Sequence, residues 1–156
     1  MKTVFLVVGT EKEAWLKGVR DSYAQKIGHF VPFEIVTLKS KSGDRDDRRR
    51  KMDAESQAIM GSLKDDDFLV LFDEKGQALN SIEFSKKTVR FLESGKKRLV
   101  FVIGGAYGFS ETLQERANAR LSLSNLTMNH HVAQFVALEQ IYRALTIWRG
   151  IPYHNP

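Results

Sequence analysis

Five short β-rich runs, at residues 3–8, 33–38, 68–72, 99–103 and, more weakly, 121–124, alternate with segments long enough to form helices. Strands joined through helices lie parallel, and strands buried on both faces read as near-continuous apolar runs, so the pattern predicts a mainly parallel sheet with helices on both sides. At 156 residues, 42% of them hydrophobic, the chain holds enough apolar material for one core. No internal repeat, low-complexity stretch or linker divides it. The expected architecture is a single three-layer α/β domain over residues 1–156.

The intervening segments carry helix signals of different strength. The first helix, at about 11–27, repeats Trp15, Val19, Tyr23 and Ile27 at four-residue spacing, a stripe for packing on the sheet. A second helix, at about 46–63, follows the flexible pair Ser42-Gly43. Asn80 with Glu83 three residues later has the form of a reciprocal N-cap and predicts a helix over 81–93, ending before Gly95. The last helix, at about 131–149, carries one stripe of Val132, Phe135, Leu138, Tyr142 and Leu145, while Val136, Ile147 and Trp148 point elsewhere. A second apolar face on a terminal helix needs a cover, which predicts a homodimer.

Composition narrows the chemistry. The absence of cysteine excludes disulfides, zinc–thiolate sites and a cysteine nucleophile, and fits a reducing cytosol. The first apolar run, Val4 to Val8, is only five residues and leads into a charged segment, too short for a signal peptide or membrane span, so a soluble cytoplasmic protein is expected. The formal charge of +5 is concentrated: residues 39–51 hold seven basic and three acidic side chains, a local balance of +4. Such a segment suits contact with a phosphate backbone. It equally suits a solvated loop running into a helix, and charge alone does not separate the two.

The run 99–103 opens into Gly104-Gly105-Ala106-Tyr107-Gly108-Phe109-Ser110, and a second small-residue loop, Leu121-Ser122-Leu123-Ser124-Asn125-Leu126-Thr127, follows about one helix later. A glycine-rich turn at the carboxyl end of a buried strand lets backbone groups approach a ligand, so a cofactor site is the leading idea. Taken singly, the first loop also reads as a tight connection and the second as a capping loop. The first turn, Gly9-Thr10-Glu11-Lys12, lacks a glycine-rich phosphate loop and speaks against a flavodoxin-like nucleotide binder. His130, His131 and His154 are the candidates for a base, with His154 and His130 preferred, although His130 also reads as a cap for the last helix. Tyr142 and Trp148 read as interface core, whereas Tyr153 and His154, beyond the helix and after Pro152, are free to contact a nucleotide.

The segment Phe101-Val102-Ile103-Gly104-Gly105-Ala106-Tyr107-Gly108, the second loop, and the ending Glu139-Gln140-Ile141-Tyr142-Arg143-Ala144 with Pro152-Tyr153-His154 together resemble the RlmH family of large-subunit rRNA methyltransferases, within the SPOUT superfamily. The likeness runs over nearly the whole chain, from Val8-Gly9-Thr10 and Pro32-Phe33-Glu34 onward. It implies a homodimer with a C-terminal trefoil knot that binds S-adenosylmethionine and methylates N3 of a pseudouridine in large-subunit rRNA, on assembled ribosomes and without a metal. It also implies cofactor contacts at Phe72, Gly105, Ser124, Asn125, Leu126, Thr127, Met128 and Asn129, mostly through backbone atoms, and substrate contacts at Arg143, Tyr153 and His154. Two positions depart from the family pattern: Asn129 stands in place of a proline, which would loosen the loop, and Gln134 in place of an arginine, which removes a charge available to RNA. Two other functions stay open here: a SPOUT methyltransferase of another rRNA or tRNA base, and a non-catalytic RNA- or ribosome-binding protein, which donor affinity would tell apart from an enzyme.

Overall fold

The computed structural model describes residues 1–9, 13–40 and 47–156. The elements in chain order are β1 (Lys2–Val8), α1 (Ala14–Gly28), β2 (Phe33–Leu38), α2 (Arg48–Ser62), β3 (Asp67–Ala78), α3 (Ser81–Leu92), β4 (Arg98–Ile103), α4 (Glu111–Arg116), β5 (Ala119–Ser122) and α5 (His130–Trp148). The strands form one sheet in the order β2-β1-β4-β3-β5, with every pairing parallel. The expected starts of the first two helices, the turn after Gly9 and much of the basic segment 39–51 lie outside the described residues.

Alternation along the central strands sorts the apolar side chains into two layers. Phe5, Val7, Val70, Phe101 and Ile103 face α1, α3 and α5 with Ile27, Phe84, Phe91, Leu138, Ile141 and Leu145. Val4, Leu6, Leu69, Leu71, Val100 and Val102 face the other way, where Ile59 of α2 and Leu113 of α4 close over them. Helices on both faces of one parallel sheet make the three-layer domain expected.

Local signals and packing divide the outcome. The capping box at α3 is present: Asn80 Oδ1 accepts the Glu83 amide at 2.8 Å and Glu83 Oε1 accepts the Asn80 amide at 3.1 Å. The stripe assigned to α1 needs correction, because Leu16, Arg20 and Ile27 are buried while Trp15 is 46% exposed. On α5 the inward residues include Gln134, Ala137, Leu138, Ile141, Ala144 and Leu145, whereas Val132 and Phe135 stand exposed. Ile27, Leu138 and Leu145 of the expected stripes are buried, but toward the start of each helix the inward residues are Leu16 in α1 and Gln134 and Ala137 in α5, in place of Trp15, Val132 and Phe135. Gln134 is only 3% exposed, so the position that departs from the arginine the resemblance implies faces the interior of the domain.

β3 is much longer than the run 68–72, and its second half departs from sheet geometry. Leu121 of β5 is paired with both Phe72 and Gln77, so residues 73–76 bulge out between two stretches of ladder. Their composition, Asp-Glu-Lys-Gly, reads as a turn, and only pairing with a strand some forty-five residues away returns them to the sheet. Bulges of this kind re-aim a strand beside a functional cleft.

Candidate active site

Three connections meet at the carboxyl edge of the sheet, where open parallel sheets bind ligands. They are the bulge 73–76, the glycine loop after β4 and the loop between β5 and α5. Together with the start of α2 they wall a cleft of about 920 Å³. A smaller apolar chamber of about 260 Å³, lined by Phe84, Leu79 and Gln140 among others, shares Phe72, Ser122 and Leu123 with it.

The glycine loop is held from several sides. Glu55 Oε2 accepts the Gly105 amide at 3.1 Å, and the next residue of α2, Ser56, accepts the Ser110 amide on Oγ at 2.9 Å. Gln114 Nε2 donates to the Phe109 carbonyl at 2.8 Å, and His130 Nδ1 lies 2.9 Å from the Gly104 carbonyl. These contacts explain the glycine pair. A Cβ on Gly104 would stand 2.6 Å from the Phe109 ring, and one on Gly105 would collide with the Glu55 carboxylate. Partial burial pushes the Glu55 carboxyl above its usual range, against the opposing pull of the Gly105 amide and Lys51. Glu55→Ala leaves the Gly105 amide without its acceptor and is expected to weaken small-molecule binding in the cleft about tenfold, the scale of one hydrogen bond to a charged group. Glu55→Gln keeps an acceptor and should recover most of that loss in a calorimetric titration.

His130 does not cap α5. Asn129 does so, its Oδ1 accepting the Val132 amide at 2.9 Å, so the residue in place of the family's proline fixes the start of α5. Burial depresses the His130 pKa, with the Gly104 carbonyl raising it and His131 lowering it further, and the net shift is downward. The ring is therefore neutral at pH 7. A carbonyl only accepts, so the proton sits on Nδ1 and Nε2 keeps its lone pair, close to Gly9. The φ of Gly9 is +143°, a conformation that favours glycine.

In the third connection, Ser122 Oγ donates to the Ser124 carbonyl at 2.9 Å and Ser124 Oγ accepts the Leu126 amide at 3.0 Å. On the bulge, Arg120 donates to Asp73 Oδ2 through Nη2 at 2.8 Å and Nε at 3.3 Å, while Asp73 Oδ1 accepts the Lys75 amide at 3.0 Å.

Of the residues singled out in the sequence, Phe72, Gly105, Ser124, Leu126, Met128, Asn129 and His130 line the cleft. Asn125 and Thr127 belong to the same loop but do not line it. The Phe72 ring is 8% exposed and stacked on Phe101 at 5.6 Å, so most of its surface is committed to the core. Leu126, at 78% exposure, stands open at the rim. Arg143, Tyr153 and His154 lie elsewhere. Glu139 Oε1 accepts Arg143 Nη2 at 2.6 Å and the Tyr153 hydroxyl at 3.0 Å, and Arg143 Nη1 donates to His154 Nδ1 at 3.1 Å. Burial, followed by the hydrogen bond and charge of Glu139, pushes the Tyr153 hydroxyl up to about 12. Arg143 is thirteen residues beyond His130 on the same helix, roughly 20 Å along its axis. Glu55, Ser56, Asp73 and Arg120 were not anticipated. Each is a polar residue on a helix or strand, and its partner lies far away in sequence.

Among the described residues no cluster of three metal-binding side chains occurs, and no helix is long and apolar enough to cross a membrane. The parallel sheet and the cleft between the loops at its carboxyl edge fit a SPOUT methyltransferase. Residues 1–154 match the family described as predicted SPOUT methyltransferase. The protein named ribosomal RNA large subunit methyltransferase H of Bdellovibrio bacteriovorus is 47% identical over 155 residues, covering 99% of each chain. Proteins of the same name from Bacteroides thetaiotaomicron and Porphyromonas gingivalis are 39% and 37% identical, again over 99% of each chain. The chain belongs to the ribosomal RNA large subunit methyltransferase H family, RlmH, and with it to the knotted SPOUT fold.

Proposed function

We propose that this protein, acting in the cytoplasm as a homodimer, transfers a methyl group from S-adenosylmethionine to N3 of a pseudouridine in large-subunit rRNA within the ribosome. The observation that carries this reading is the cleft at the carboxyl edge of β3, β4 and β5. It is bounded by the glycine loop and by Ser124, Leu126, Met128 and Asn129, in a chain whose relatives are named as large-subunit rRNA methyltransferases. Its volume lies within the range of small-molecule sites, and loop amides and carbonyls suit the polar edges of a nucleoside.

When bound, the donor supplies an electrophilic methyl group. The protein's task is to hold the acceptor nitrogen in line with it and to take up the N3 proton. His130 is the base on this reading: neutral, with its tautomer set by the Gly104 carbonyl, it offers Nε2 to the proton. Gly105 of the glycine loop and Ser124, Leu126, Met128 and Asn129 of the loop before α5 would hold the donor, which would supply the methyl group and leave as a neutral thioether. Glu55 and Ser56 hold the glycine loop while this happens.

The tail needs a second subunit. Arg143, Tyr153 and His154 are too far from the cleft of their own chain, and apolar side chains exposed on α1 and α5, Trp15, Val132 and Phe135, offer a surface for pairing. Light scattering is expected to give about twice the 17.8 kDa chain mass at micromolar concentration, and a monomer would remove the composite site. Deleting residues 153–156 should abolish methyl transfer while leaving donor affinity within about twofold, because the tail does not line the cleft; retained activity would refute its role.

The test of the function is donor binding by calorimetry together with transfer of labelled methyl to large ribosomal subunits lacking the modification. Binding with transfer supports the enzyme, whereas neither would point to the non-catalytic alternative.

A further inference from the structure

Tyr107 stands at the crest of the glycine loop, 36% exposed on the wall of the cleft. No interior packing accounts for an aromatic side chain there, since Gly108 beside it turns at φ +82° and leads the chain back toward Phe109, which is buried. Two cations from α2 lie over the ring: Arg48 Cζ is 5.3 Å and Lys51 Nζ 6.0 Å from its centroid. One helical turn further along α2, Glu55 holds the base of the same loop. The helix therefore fixes the loop from below and brings positive charge to its tip.

We propose that Tyr107, with Arg48 and Lys51, forms the platform on which a nucleotide of the substrate RNA is seated at the mouth of the cleft. This rests on the reading of the protein as an RNA methyltransferase and names a contact for its substrate. A single-stranded nucleotide presents a flat π face and a phosphate on each side, and proteins bind it by stacking the base on an aromatic ring while cations take the phosphates. Tyr107 supplies the ring and the two α2 side chains the charges. The platform borders the cleft in which the donor is proposed to bind, so a stacked base lies beside the reacting centre. A target inside a folded RNA must be drawn out of its stack to react, and an exposed ring at the entrance offsets part of that cost.

The experiment is steady-state methyl transfer to large ribosomal subunits lacking the modification, with donor affinity measured separately by calorimetry, for Tyr107→Ala, Tyr107→Leu and Tyr107→Phe. Loss of one base-stacking ring is expected to raise the KM for subunits about tenfold or more in the Ala and Leu variants. Donor Kd should change less than twofold, and Tyr107→Phe should recover most of the affinity. Arg48→Gln with Lys51→Gln should flatten the slope of log affinity against log salt by roughly 1.5. An unchanged subunit KM in both Ala and Leu variants would overturn the proposal, as would a parallel loss of donor affinity, which would make Tyr107 a wall of the donor site. Equal losses in Phe and Ala would assign the effect to the hydroxyl and overturn stacking. Failure of the unaltered protein to transfer methyl at all would instead overturn the underlying reading.

Discussion

Gly76→Ala is expected to destabilise the fold by about 3 kcal/mol, at the upper end of what overpacking costs. A Cβ at this position would stand 2.7 Å from the carbonyl carbon of Arg120 and from the amide nitrogen of Leu121. Both are backbone atoms of β5, so no rotamer change relieves the contact, and the second stretch of β3–β5 pairing must separate. The change should reach the site as well as the fold. Gly76 ends the bulge that carries Asp73, and moving β5 displaces Arg120 from its partner. Donor affinity should fall by about tenfold or more. Gly61→Ala is the control: nothing lies within 4 Å of a Cβ there, in the last turn of α2. That change should be neutral or stabilise by up to about 1 kcal/mol. Urea denaturation of both variants measures the contrast.

Asp67→Ala should cost more, about 3–5 kcal/mol, from a total stability that in domains of this size is on the order of 5–15 kcal/mol. The carboxylate is 1% exposed at the start of β3. It accepts Arg98 Nε at 2.8 Å and Nη2 at 2.6 Å from the paired start of β4, and the Lys64 amide at 2.7 Å. Burial alone would raise its pKa. The hydrogen bonds from Arg98 and Lys64, with the charges of Arg98 and Arg116, outweigh that and hold the carboxyl below its usual value. A folded pKa below the unfolded one means that the stabilisation is complete above about pH 4 and disappears as the pH falls through the folded value. The wild type should therefore lose stability on acidification below about pH 4, and Asp67→Ala should lose less over that window. Removing Asp67 also strands the Arg98 guanidinium, so Asp67→Ala with Arg98→Met should be less damaging than Asp67→Ala alone. A single-variant loss below about 1 kcal/mol would show that the pair is solvated rather than structural.

The features legible in the sequence were those set by neighbours in the chain. The Asn80–Glu83 box, the four main strands and the glycine loop after β4 all follow from residues within a few positions of one another. The features that were missed depend on distant partners. Asp73, Glu74, Lys75 and Gly76 look like a turn until β5 pairs on either side of them. Glu55 and Ser56 look like ordinary polar residues of a charged helix, yet their partners are fifty and fifty-four residues away. Helix stripes fall between these cases. Periodicity shows that α1 and α5 are apolar on a face, but when adjacent stripes both carry large apolar groups only packing selects one. Leu16 was therefore buried in place of Trp15, and Ala137 and Ile141 in place of Val132 and Phe135. At Asn129 a departure from the family read as a loosened loop proved to be a helix cap. For the site, the sequence located two of the three walls of the cleft, while Arg143, Tyr153 and His154 do not line it.

The most direct measurement is mass spectrometry of nuclease-digested large-subunit rRNA, after incubation of the protein and S-adenosylmethionine with ribosomal subunits that lack the modification. One new methyl group on a single pseudouridine, located at N3 by fragmentation and absent without the protein, is the predicted result. A methyl group on another base, or transfer only to tRNA, would contradict the proposed substrate while leaving the methyltransferase fold and family intact.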